Sequence, residues 1–159
     1  MSFVDDIRTI ATAIDSGSTT VLLSLSKHEA QTFEYDSFPL VVINRDYTTK
    51  TVKAKNGNLL STRQVTIQFL NSDTWDNRDS DNFSDQTEDA SFDISKDMEI
   101  LSNSVFWAFQ EQSGVSTTNF VGIVDGSFDS IPVYRSTSNS LTGVQIVFSY
   151  MFYSSLNCA

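Results

Sequence analysis

Apolar residues recur near the N-terminus at Phe3, Ile7, Ile10 and Ile14, with Asp6, Arg8, Thr9 and Thr12 between them. That spacing lines one face of a helix, predicted over Ser2 to Asp15 with Gly17 as its stop. Thr19 to Ser26 is β-prone, Val21, Leu23 and Leu25 alternating with Leu22 and Ser24, and predicts a strand. Lys27 to Phe38 has no clear period. Pro39 then introduces Leu40 to Asn44, a nearly continuous apolar run of the kind carried by a strand covered on both faces. Thr48 to Lys55 and Leu59 to Asn71 flank Asn56-Gly57, a dipeptide that supplies the positive φ a hairpin turn needs. On the second arm Val65, Ile67 and Phe69 share one parity and Thr66, Gln68 and Leu70 the other, so one face looks to the core.

Further on, Ile94, Met98, Leu101, Val105 and Ala108 or Phe109 fall at helical spacing, and Gly114 closes the run. They predict a second helix over about Ser91 to Gln112, packed on the sheet. Strands are predicted at Asn119 to Asp125, Ser127 to Ser136 and Thr142 to Tyr153. Pro132 suits an edge position or an interruption of the strand, because it has no amide hydrogen to give a ladder. In the last strand Val144, Ile146, Phe148, Tyr150 and Phe152 share one parity against Gln145, Ser149 and Tyr153. Hairpin-like spacing in this order predicts an α+β fold: a mostly antiparallel β-sheet with an N-terminal helix and one longer helix packed on it, in a single domain over residues 1–159.

Composition narrows the partners. Forty per cent apolar and 12% aromatic residues suffice for a core in a chain of 159 residues, without metal or disulfide help. Twenty acidic against ten basic residues give a net charge of -10, which opposes condensation on nucleic acid or on an anionic membrane. Cys158 stands alone, so no internal disulfide is expected, and synthesis in a reducing cytoplasm fits. Asp5, Asp6 and Arg8 interrupt the N-terminal segment, which reads as neither a signal peptide nor a membrane anchor.

Candidate chemistry is sparse. A nucleophile and base would require an orienting His, and the sole histidine, His28, lies in a polar stretch. No nucleotide-binding glycine motif occurs, and one Cys with one His is a poor zinc set. Asn77, Asp79, Asp81, Phe83, Asp85 and Glu88 do fall on positions 1, 3, 5, 7, 9 and 12 of an EF-hand calcium loop. Asn82 stands where that loop wants Gly, however, and a strand rather than a helix precedes it. The Asp79 and Asp81 carboxylates could in principle serve as acid and base, yet no scaffold is evident to hold them rigidly. The expectation is a solvated acidic loop over 71–93, no catalysis and no cofactor, with a calcium-dependent binding module as the lesser alternative.

Charge is segregated along the chain. Asn71 to Asp93 carries eight acids against Arg78, a local -7, whereas Arg45, Lys50, Lys53, Lys55 and Arg63 oppose only Asp46 in the hairpin region, a local +4. The two can neutralise each other within one chain, face water, or meet between copies in a head-to-tail contact that closes as a ring.

Several features together resemble the small tail-completion, or tail-terminator, proteins of tailed bacteriophages. They are the short N-terminal helix, the Pro39-Leu40-Val41-Val42-Ile43-Asn44 strand, the Asn56-Gly57 hairpin, the helix around Met98 to Phe109, and Ser138-Asn139-Ser140-Leu141-Thr142-Gly143-Val144 leading into a long last strand. The likeness spans nearly the whole chain, and the acidic stretch 71–93 departs from it. The resemblance implies a virion protein made in the host cytoplasm that assembles as a ring, commonly a hexamer. Such a ring sits on the head-proximal end of the tail tube, stops tube growth, meets neck or connector proteins, and lets DNA through its lumen without specific binding. Connector, tube and baseplate proteins share such β-rich plans and are the alternatives. Asp73, Asp76, Asp79 and Asp81 are then candidates for the lumen or the subunit interface, and Lys50, Lys53 and Lys55 for the matching surface of the neighbour.

Overall fold

A computed structural model describes residues 3–14, 20–24, 39–44, 47–55, 57–72, 83–111, 120–133 and 141–154. In chain order they form α1 (Phe3–Ile14), β1 (Thr20–Ser24), β2 (Leu40–Asn44), β3 (Thr48–Lys53), β4 (Leu59–Ser72), α2 (Phe83–Gln110), β5 (Phe120–Ile123), β6 (Asp129–Val133) and β7 (Leu141–Ser154). The fold is α+β, as the alternation of helical and strand periods predicts.

Two 14-residue strands, β4 and β7, make the spine of a seven-stranded sheet. They pair antiparallel along their whole length, from Leu59 opposite Ser154 to Ser72 opposite Leu141. The outer edge of β4 is shared by β3 at one end and β2 at the other, and that of β7 by β5 and β6. Every pairing is antiparallel except β1 with β2, which run parallel. A parallel neighbour needs a crossover of a dozen or more residues, and the fifteen from Leu25 to Pro39 supply that length. Pro132 does lie in an edge strand, β6, facing Val144.

Strand parity divides the sheet. On one face Val41, Ile43, Val65, Ile67, Phe69, Val144, Ile146, Phe148 and Tyr150 join Phe3, Ile7 and Ala11 of α1 and Met98, Leu101, Val105 and Phe109 of α2 in one buried cluster. Both helices therefore pack on the same side. The buried stripe of α1 runs Phe3, Ile7, Ala11 rather than ending on Ile14, which is 41% exposed; the small Ala11 side chain leaves room for close packing. At the β2 end the other face carries a second cluster of Leu40, Val42, Leu70 and Leu141. This explains why Leu40 to Ile43 of β2 are all apolar, since its alternate residues serve two clusters.

The acidic stretch 71–93 is corrected at both ends. Asn71 and Ser72 complete β4, and α2 begins at Phe83, eight residues ahead of Ser91. Phe83 and Ala90 extend the Ile94, Met98, Leu101 stripe backward at helical spacing, and neither Pro nor Gly interrupts the 28 residues. Asp85 falls in the first turn, where the helix dipole favours negative charge, so acidity there suits a helix start. The helix also departs from the calcium-loop register. Position 7 of that register, Phe83, would have to offer its backbone carbonyl to the ion, but it opens α2, whose carbonyls bond the amides four residues on.

Candidate functional site: the basic hairpin

The hairpin turn is built by Ala54 to Asn58. The Gly57 amide donates to the Ala54 carbonyl at 3.0 Å, and the Ala54 amide donates to the Asn58 carbonyl at 2.7 Å. Gly57 has φ +86°, so the glycine supplies the left-handed turn of the chain, while Asn56 lies outside the described residues. Five residues join the strands, a longer connection than the two-residue turn that Asn-Gly alone suggests. A Cβ at Gly57 would meet nothing within 4 Å, so Gly57→Ala isolates the backbone cost. Loss of about 1 kcal/mol in urea unfolding is expected; no loss would show that the turn relaxes out of that conformation.

Among the described residues β3 is an edge strand, and its six residues are all exposed. Its free side is a row of backbone donors and acceptors, the feature that sheet proteins either protect or use for pairing. Lys50 stands opposite Thr62 on the face away from the helices, Lys53 opposite Leu59 on the helix side, and Lys55 in the turn. All three ammonium groups are exposed. Among the described residues the only ion pair is Arg8 with Asp5 at 3.1 Å, so no described carboxylate neutralises the hairpin lysines. Asp73, Asp76, Asp79 and Asp81 lie outside the described residues, as do Arg45, Asp46, His28 and Cys158.

Arg63 holds a different position from the lysines. Its Nε donates to Thr49 Oγ1 at 3.1 Å and its Nη1 to the Tyr150 hydroxyl at 3.2 Å. The guanidinium carbon lies 4.5 Å from the Tyr47 ring centre and 4.8 Å from that of Phe152. Planar, weakly hydrated and delocalised, the guanidinium suits this aromatic bracket as an ammonium would not. Beside it Thr51 and Ser61 share a hydroxyl hydrogen bond at 2.9 Å across β3 and β4. These contacts tie the hairpin base to the core and hold β3 in place as a presented edge. Counting basic residues does not distinguish Arg63 from Lys50; its cross-strand register with Tyr150 does.

Burial raises the Tyr150 phenol above its usual 10, and the neighbouring Arg63 charge and hydrogen bond oppose the rise. In the unfolded chain the phenol ionises at its ordinary value, so the stabilisation tied to neutral Tyr150 is complete below about pH 10 and is lost as pH climbs through the folded value. Tyr150→Phe is expected to flatten this alkaline decline in denaturation midpoints between pH 9 and 11. An unchanged slope would assign the decline to other groups.

Two apolar side chains absent from the sequence expectation also stand out. Trp107 and Ile100, seven residues apart on the outer side of α2, are 63% and 57% exposed. The sequence signal for them is their place off the buried Met98, Leu101, Val105, Phe109 stripe. Among the described residues no three His, Cys, Asp or Glu side chains come together, and no helix is long and apolar enough to cross a membrane. Searches of protein-family models and of curated proteins find no match to the chain.

Proposed function

We propose that this chain is a structural protein of the tailed-bacteriophage virion, acting as a tail terminator. Copies close into a ring, hexameric on the resemblance drawn from the sequence, at the head-proximal end of the tail tube. There the ring stops tube growth and joins the neck. The observation that carries this reading is β3: a fully exposed, basic edge strand held out from the core of a protein whose net charge is -10. An edge of that kind is suited to a neighbour with an acidic surface, and a repeated head-to-tail contact closes when its rotation allows. An acidic protein around a lumen also repels passing DNA, so transit needs no specific contact. No step of this role requires bond chemistry or a cofactor.

Electron microscopy of the purified protein tests the reading. Closed rings with a central opening are expected; open-ended tubes would move the chain to the tube proteins, and isolated monomers would remove the ring. Replacing Lys50, Lys53 and Lys55 together by Glu is expected to abolish oligomers in size-exclusion chromatography while the circular-dichroism spectrum stays that of the native chain. All three side chains are exposed, so the substitution acts on assembly rather than folding. Rings that persist in this variant would contradict pairing through the hairpin.

A further inference from the structure

We infer that copies of this chain meet with the helix-free face of the sheet, at its hairpin end, packed on the outer face of α2 of the next copy. The inference rests on the ring reading and specifies its contact. Register places Val52, Leu60, Met151 and Tyr153 side by side on that sheet face, together with Lys50 and Thr62. Val52 is 61% exposed and the other three apolar residues are half-buried, with no described element over them. On the far side of the molecule, Ile100 and Trp107 form the second apolar strip, one above the other at a spacing of two helical turns.

The two patches belong to opposite layers, so they cannot cover each other within one copy. Their surroundings carry opposite charge. Exposed Asp93, Asp97 and Glu111 flank the helix strip against Lys96 alone, whereas Lys50 lies in the sheet patch and Lys55 in the turn at its end. Helix against helix would set acid on acid, and sheet against sheet lysine on lysine; helix against sheet alone brings opposite charges together. The contact is therefore heterologous, and a closing rotation turns it into a ring. Trp107 is the expected anchor, since a tryptophan buried at the centre of an interface contributes more than its neighbours.

Mass photometry of wild type, of Lys50→Glu/Val52→Glu, of Ile100→Ser/Trp107→Ser, and of the two variants mixed tests this. Each variant alone is expected to be monomeric, its assembly midpoint raised about thirtyfold or more. The mixture is expected to give heterodimers and nothing larger. One variant keeps a sound helix face, the other a sound sheet face, and the single contact between them leaves two blocked ends. Unfolding midpoints equal to wild type confirm native monomers, and Lys50→Glu alone or Trp107→Ser alone replaces a double variant that fails to fold. Wild-type rings with either variant assembling normally, or a mixture that stays monomeric, would overturn this contact while leaving the ring reading intact. A wild-type chain that is monomeric throughout would overturn the ring reading itself, and the contact with it.

Discussion

Gly143→Ala is expected to unfold most readily of all single-methyl additions to this protein. A Cβ at that position would overlap the Phe69 carbonyl oxygen and lie 2.8 Å from its carbon and 3.0 Å from the Leu70 Cα. All three are backbone atoms of β4, so no side chain can swing aside. Relief requires the β4–β7 spine to part where Leu70 faces Gly143, beside the buried Ser95 hydroxyl, which donates to the Gly143 carbonyl at 3.4 Å. A loss of about 3 kcal/mol or more is expected, a large share of the 5–15 kcal/mol typical of a domain. Urea unfolding checks it: a change under about 0.5 kcal/mol would mean that the two strands are not in the described register.

Phe109→Ala should cost about 4 kcal/mol. The Phe109 ring is 2% exposed and lies 5.4 Å from Phe3, 5.0 Å from Phe120, 5.7 Å from Phe148 and 5.4 Å from Tyr150. It joins α1, α2, β5 and β7, and all four pairs are edge-on or tilted, as the ring quadrupole prefers. Because four elements converge on it, collapse cannot fill the void easily and the cavity cost is kept. Trp107→Ala, two residues away, removes a larger ring from solvent and should change monomer stability by less than about 0.5 kcal/mol. Equal losses from the two substitutions would show that α2 is rotated about its axis from the orientation described.

That contrast also shows what can be read in the residues before the structure is seen. The parities of Val65, Ile67 and Phe69, and of Val144 to Phe152, identify the core face, because a strand has no freedom to turn alternate side chains the same way. The Met98, Leu101, Val105 stripe identifies the inner side of α2 for the same reason at a period of 3.6. What lies outside local periodicity is less legible. The parallel pairing of β1 with β2 follows from a crossover, not from either segment. The first eight residues of α2 look like a loop when acidity is weighed by composition, and like a helix start when it is weighed by position in the dipole. Of the charged candidates, Lys50, Lys53 and Lys55 are exposed, and the four aspartates lie outside the described residues. The bracket on Arg63 draws on Tyr47 and Thr49 from one part of the chain and Tyr150 and Phe152 from another, and only the β3–β4–β7 registers bring them together.

An assembling role requires that apolar and basic surface left bare by one copy be covered by another. Val52, Ile100 and Trp107 are each more than half exposed and leave apolar surface that a neighbouring copy can cover. Native mass spectrometry across a concentration series measures this most directly. A single closed oligomer of constant copy number, six on the reading offered above, supports the account. A chain that stays at the mass of one copy at every concentration would contradict it.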